Sequence, residues 1–237
     1  MNGRPLKNTK NLILWLCLCQ LTSSCTEKDN SYFPLQEGNS WRYHLQLTTM
    51  YGSEEQKFYV SSLPAQIIDG KTTYIHRSLT GTQILFRQTD AGISRVGFVV
   101  ADGASLKTVV DEHLVLPNNL QVGAEWDSVA LTQTLTSGKP QGMQVVAKVP
   151  VKNQIESIDD VVKVPAGNFQ YCIRLHTSGF AFNSSIHFIG RTLVEIEQTS
   201  WYAPGVGLVK SVLVETTTSD ALSRGELIME LESFHKR

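Results

Sequence analysis

The chain has 237 residues, of which 41% are hydrophobic, and its formal net charge is −1. This composition is sufficient for a large hydrophobic core and differs from that of disordered chains, which are poor in apolar residues. The near-zero charge argues against a nucleic-acid-binding protein, because such proteins carry a basic surplus on one face.

The first 24 residues have the three parts of a secretory signal. A cationic start (MNGRPLKNTKN) precedes an apolar stretch (LILWLCLCQL), and small residues (TSS) follow. The apolar stretch is too short to cross a membrane as a helix, which takes about 20 residues. We therefore predict that residues 1–24 form a signal peptide and that the rest of the chain is exported.

The end of this signal, LTSSC at 21–25, resembles a bacterial lipobox, in which the cysteine is acylated and becomes the first residue. A lipobox prefers Leu three residues before the cysteine, where this chain has Thr22. The alternative is ordinary cleavage before a chance cysteine. We predict that Cys25 carries a lipid that anchors the chain to a membrane. Because Thr26 is not the Asp of an inner-membrane retention signal, we expect the outer membrane, facing the periplasm.

Removal of the signal would leave two cysteines, Cys25 and Cys172. If Cys25 is lipidated, Cys172 has no cysteine partner. If Cys25 is not lipidated, a disulfide between Cys25 and Cys172 is possible. Strand alternation in FQYCIRLHT predicts that Cys172 shares a face with Arg174 and His176, which could lower its pKa. The other interpretation, a buried small apolar residue, is the one that we favour.

The predicted elements begin after a short polar tether at 25–31. From Trp41 the chain alternates apolar and polar residues, and Gly-containing turns recur every eight to twelve residues or so. Further strands are predicted at 128–137 and 143–158 and in three segments near the C-terminus, with no amphipathic helix. We predict an all-β fold, an antiparallel meander forming a sandwich or barrel-like domain over residues 32–237.

A short repeat marks two of these strand starts. LQEGNSW at 35–41 is echoed by LQVGAEW at 120–126. We predict that each copy makes a turn at its Gly and then starts a strand at its Trp. The second copy would then begin a second sheet or a second half of the fold. Two half-domains meeting near 115–125 are the alternative to one domain.

No motif for catalysis, cofactor binding or metal binding is present, so we predict no such residues and no enzyme activity. None of the six His forms a closely spaced pair, and we place His44, His76 and His176 on solvated strand faces. The triplet at 111–113, Asp-Glu-His, is the closest to a ligand set, but we predict that it flanks a turn.

Four aromatic residues beside turns are predicted to lie in the core: Trp41, Tyr43, Phe169 and Trp201. The stretch WYAPGVGLVKSV at 201–212 has two interpretations. It forms either a packed hairpin corner, which we favour, or an aromatic edge at the mouth of a ligand site.

Three stretches together, YFPLQEGNSWRY, VPAGNFQYCIRL and WYAPGVGLVKSV, resemble those of a family of bacterial lipoproteins with a β-rich domain of unknown function. The resemblance spans Tyr32 to about Val214. It implies an exported domain on a lipid anchor and supplies no catalytic residues.

These observations favour a non-enzymatic envelope protein, a binding or assembly module whose partner is an envelope protein or an apolar ligand. The alternative is a carrier or sensor of an apolar ligand in a barrel or half-barrel cavity, since β-barrels of this size can hold one. A hydrolase with a dispersed site is the third option. A large apolar pocket would favour the carrier.

Overall fold

The structure is a computed structural model that describes residues 31–102, 105–137, 144–184, 190–222 and 224–237. The predicted signal peptide, Cys25 and most of the predicted tether lie outside these residues. Among the described residues, no helix is long and apolar enough to cross a membrane.

Twelve strands make up the described fold, with one short 3₁₀ turn at Asp220–Leu222. In chain order the strands are β1 (Ser40–Thr49), β2 (Gly52–Ile68), β3 (Lys71–Ser78), β4 (Gln83–Thr89), β5 (Gly92–Asp102), β6 (Ser105–Pro117), β7 (Glu125–Leu131), β8 (Lys148–Val164), β9 (Gly167–Asn183), β10 (Thr192–Ala203), β11 (Gly207–Thr217) and β12 (Arg224–His235).

All twelve strands belong to one antiparallel sheet. The first six strands follow one another away from β1, the last six follow one another away from β12, and β1 pairs with β12 in the middle. This order leaves β6 and β7 at the two edges, although they are consecutive in the chain. The sheet therefore curls into a nearly closed barrel, and the indole Nε1 of Trp126 on β7 donates to the carbonyl of Leu114 on β6 at 3.0 Å. The predicted antiparallel all-β meander is confirmed, in its barrel-like form.

The repeated heptapeptide starts each half of this meander. Gly38 and Gly123 both have positive φ, 88° and 86°, a backbone conformation that favours glycine. Trp41 follows in β1 and Trp126 in β7. Each indole donates to a distant backbone carbonyl, at 2.7 Å from Trp41 to Val206 and at 3.0 Å from Trp126 to Leu114. The two copies thus have the same local role.

Alternate residues of the strands fill the interior. In β1 the inward side chains are bulky and buried, while the residues between them are partly or fully exposed. The register carries the same face across neighbouring strands, because Tyr43 lies opposite Leu231 on β12 and Phe58 on β2. The inward residues of β1 are Trp41, Tyr43, Leu45 and Leu47.

One end of the barrel is covered by the three stretches on which the family resemblance depends. The β8–β9 turn reaches β12, where the Ala166 N–H donates to the Leu231 carbonyl at 2.9 Å. The Gly205 N–H donates to the Ser31 carbonyl at 2.9 Å. Trp41, Val164 and Val209, one residue from each motif, share one buried cluster. The three motifs therefore describe one packed region of the fold, and WYAPGVGLVKSV contains the hairpin between β10 and β11.

The predicted strand at 128–137 ends early, at Leu131, and the predicted strand at 143–158 begins only at Lys148. The described residues between them, 132–137 and 144–147, pack into the barrel, where Leu135 and Val145 are fully buried in one cluster with Leu213. The cause is Glu215 of β11, a buried carboxylate. It accepts hydrogen bonds from the Gln133 N–H at 2.6 Å, the Thr134 hydroxyl at 2.8 Å and the Leu135 N–H at 2.9 Å, so these donors leave the ladder.

Cys172 is buried and free, as we favoured, but the face that we predicted for it is wrong. Tyr171 has a positive φ of 57° and its side chain is exposed, so the alternation breaks there. Cys172 turns into the cluster that contains Val209 and Leu231. Arg174 instead pairs with Glu156 and Asp160 on the outside.

Candidate functional site

The barrel interior contains a cavity of about 630 Å³, in the range usual for small-molecule sites. Its walls come from both halves of the sheet. Six consecutive residues, 128–133, line it together with Leu114 and Val115, so the cavity runs along the seam between β7 and β6. Exposed apolar side chains flank this seam on both strands: Val110, Val129 and Leu131.

A belt of neutral polar groups crosses the cavity wall. The Thr177 hydroxyl donates to Asn153 at 2.8 Å, and Gln198 donates to the Ser211 hydroxyl at 2.8 Å. Ser200 lies 3.1 Å from Ser211, hydroxyl to hydroxyl. These groups are buried, except for the partly buried Gln198, and they satisfy one another, so an apolar ligand can lie beside them without leaving polar atoms unpaired.

One corner of the cavity is charged. Arg95 on β5 lies opposite His113 on β6, and its guanidinium forms an ion pair with Asp111. Burial lowers the pKa of His113, and Arg95 lowers it further, whereas Asp111 raises it. The triplet at 111–113, which we predicted to flank a turn, lies within β6, with Asp111 and His113 in contact at 3.6 Å. The described residues hold no cluster of three His, Cys, Asp or Glu that could bind a metal.

A smaller pocket of about 150 Å³, the aromatic pocket, adjoins this cavity. The two share Phe33, Ile84 and Leu208 as lining residues. The walls of the aromatic pocket are almost entirely apolar, and its remaining lining residues are Pro34, Trp41, Tyr43, Phe58, Val60, His76, Gly207 and Met229.

His76 is the polar residue of this pocket, and it is surrounded by rings. Its imidazole stacks on Phe33 at 5.7 Å between ring centroids, and it contacts Trp41 at 5.2 Å and Phe86 at 5.0 Å. Only 8% of His76 is exposed, and burial lowers its pKa to about 4, against a hydrogen bond to the backbone of Pro34 that raises it. The imidazole is therefore neutral at neutral pH.

Two polar atoms on this part of the sheet have no hydrogen-bond partner among the described residues. They are Nε2 of His76 and the hydroxyl oxygen of Ser62, both buried. Ser62 lies directly opposite His76 in the pairing of β2 with β3. Unsatisfied buried polar atoms cost about 1–3 kcal/mol each, so such a pair is uncommon away from a binding site.

Several of our sequence predictions concern residues of this site or residues close to it. Trp41 and Tyr43 are buried, as predicted, and they also line the aromatic pocket. Phe169 and Trp201 are only half-buried, and they pack against the core cluster that contains Trp41 and Tyr43. Cys25 lies outside the described residues, so its lipidation stays a prediction.

The residue that sequence reasoning missed is His76. His44 and His176 are half-exposed and pair with Glu55 and Glu197, which fits the predicted solvated faces. For His76 the prediction is wrong, because both faces of β3 are buried around it and Ile75 is as inaccessible as His76. The one signal in the sequence is the succession of bulky residues Tyr74-Ile75-His76, which departs from the alternation of a half-buried strand.

Two solved structures are similar to this chain. A protein from Bacteroides fragilis, provisionally described as an exported protein with a YmcC-like fold, aligns with 86% of this chain and 98% of its own, at 15% identity and a TM-score of 0.47. A protein from Parabacteroides distasonis, provisionally described as a lipoprotein, aligns over the same shares at 13% identity and a TM-score of 0.37.

Both descriptions agree with the kind of family that the three motifs predicted. The chain matches no protein-family model and no curated protein. Neither TM-score is high enough to carry an argument about function, which therefore rests on the residues of this chain.

Proposed function

We propose that the protein is an exported, lipid-anchored envelope protein that holds an apolar ligand inside its barrel without chemically changing it. The N-terminal signal and the lipobox-like ending at Cys25 support export and anchoring. The observation that carries the ligand is the interior cavity of about 630 Å³ with its adjoining aromatic pocket. Among the functions that the sequence analysis left possible, such a cavity favours a carrier.

The experiment uses the full chain with Cys25→Ser, which is exported but not acylated and needs no detergent that could occupy the cavity. The probe is N-phenyl-1-naphthylamine, whose emission rises in apolar surroundings. We expect saturable binding of the probe, because the cavity removes apolar area from water at about 25 cal/mol per Å².

Two variants on neighbouring positions of β10 test the location. Ser200→Phe fills the cavity, because Ser200 lines it, whereas Thr199→Phe places the same ring on the opposite face of the strand. We expect the first to weaken probe binding about tenfold and the second to leave it unchanged. Equal binding by both variants, or no saturable binding by the parent chain, would contradict the proposal.

A further inference from the structure

His76 offers a hydrogen-bond acceptor to the aromatic pocket. His76 lines the pocket and is almost fully buried. A neutral imidazole carries one N–H and one lone pair, so Nε2 can accept a hydrogen bond when the proton is on Nδ1. Nε2 is buried and has no partner among the described residues.

The walls around this acceptor select for an aromatic ring. Phe33, Trp41 and Phe58 line the pocket, and aromatic rings gain about 0.5–1.5 kcal/mol from tilted or offset contacts with one another. The pocket volume of about 150 Å³ is that of a dry apolar cavity that accepts benzene in a well-studied engineered protein. A single ring therefore fits, and a fused ring system does not.

The acceptor and the walls together define a ligand class. We infer that the aromatic pocket binds a phenol-type ring whose hydroxyl donates a hydrogen bond to Nε2 of His76.

The apolar remainder of such a ligand has room beyond the ring. The aromatic pocket adjoins the larger cavity through Phe33, Ile84 and Leu208, so a substituent opposite the hydroxyl can extend along the seam between β6 and β7. This inference rests on the proposed function and adds to it the chemical group that the site recognises.

The test compares 4-hexylphenol with its methyl ether, 4-hexylanisole, by displacement of the fluorescent probe from the Cys25→Ser chain. The two compounds share ring and chain, but only the phenol can donate. We expect the phenol to bind roughly threefold to tenfold more tightly, the net effect of one hydrogen bond to a group that is otherwise unpaired. The second variant is His76→Phe, which keeps a ring of similar size and removes the acceptor; its preference for the phenol should vanish.

His176→Phe is the matched control, because His176 is a half-exposed residue of β9 away from the pocket, and it should keep the phenol preference. If His76→Phe fails to fold, the ¹⁵N imidazole spectrum of the parent chain replaces it, and the Nε2 resonance of His76 should shift on addition of the phenol. Equal binding of phenol and ether, or an unmoved Nε2 resonance, would overturn the inference while leaving the proposed function standing. Binding of neither compound would overturn both.

Discussion

The residue that most distinguishes this barrel is His76, a neutral base among aromatic rings. Its folded pKa of about 4 lies below the unfolded value of 6.5, because burial disfavours the charged imidazolium. Between these values the unfolded chain binds more protons than the folded chain. Stability is therefore greatest above about pH 6.5 and is lost as the pH falls toward 4.

We predict a pH-dependent loss of stability with His76 as its largest single source. The shift from 6.5 to about 4 corresponds to on the order of 3 kcal/mol, and His113, whose pKa is also lowered by burial, acts in the same direction. The measurement is denaturant unfolding from pH 7.5 to 4. His76→Phe should flatten the profile, and His176→Phe should not. A parent profile that is flat between pH 6.5 and 4.5 would be inconsistent with a buried neutral His76.

The thiol of Cys172 is predicted to be inert in the folded protein. Burial and, to a smaller extent, the nearby charge of Asp160 together raise its pKa to about 11, so almost no thiolate exists at neutral pH. Maleimide labelling at pH 7 should be slow in the native state and should become rapid on denaturation. Rapid labelling of the native chain would show that the β8–β9 end opens readily.

At the scale of elements, the sequence predicts strands well where one face is apolar. In β1 the alternation from Trp41 to Leu47 matches the observed burial residue by residue, because a half-buried strand must repeat every two residues. The strand prediction fails at 132–137, where the N–H groups of Gln133 and Leu135 bond to Glu215. The conformation of this segment is set by a side chain about 80 residues away, and no local sequence pattern contains that information.

The segment at 132–137 should therefore depend on Glu215. Glu215→Gln replaces one acceptor oxygen with a donor that faces other donors, and hydrogen bonds to charged groups contribute about 1.5–3 kcal/mol. We predict a loss of about 2–3 kcal/mol in the free energy of unfolding. Glu195→Gln on the exposed side of β10 should change it by less than about 0.5 kcal/mol. Equal effects of the two substitutions would mean that Glu215 does not hold the segment.

At the scale of the whole molecule, the sequence left both a sandwich and a barrel possible. The deciding contact is the pairing of β1 with β12, which joins the first and last described strands. Pairings between residues so distant in sequence leave no periodic signal, because each strand alternates in the same way whichever partner it has. The interior cavity could not be predicted either, because the polar residues of its wall resemble, in the sequence, the solvent-facing side of a strand.

The anchor proposed at Cys25 would fix how the barrel meets the membrane. The Ser31 carbonyl is held by Gly205 at the end of the barrel that the three motifs cover. Ser31 is the sixth residue after Cys25, and a chain of this length can span at most about 20 Å. That end would therefore stay close to the lipid surface.

We predict that Cys25→Ser moves the protein from the membrane fraction to the soluble periplasmic fraction. The reason is that a lipid chain contributes about 0.8 kcal/mol of membrane affinity for each buried CH₂ group. Fractionation followed by immunoblotting measures the change. Undiminished membrane retention of the variant would contradict acylation at this residue.

The last prediction concerns the seam, where the barrel is held by side chains. Among the described residues no backbone ladder joins β6 to β7, and the hydrogen bond from Trp126 to the Leu114 carbonyl crosses the gap. Trp126→Phe removes that bond and should cost about 1 kcal/mol. It should also speed amide hydrogen exchange along β6 and β7, because the two edges then separate more often.

Trp201→Phe is the matched control, since Trp201 also donates one hydrogen bond, to the Asp160 carboxylate at 3.0 Å, and lines neither the cavity nor the aromatic pocket. It should cost a comparable free energy without changing exchange at the seam. If the cavity is entered between β6 and β7, Trp126→Phe should also accelerate exchange of the fluorescent probe, and Trp201→Phe should not. Identical probe exchange in the two variants would place the entry elsewhere, most simply at the end of the barrel beneath Phe33, which lines both the cavity and the aromatic pocket.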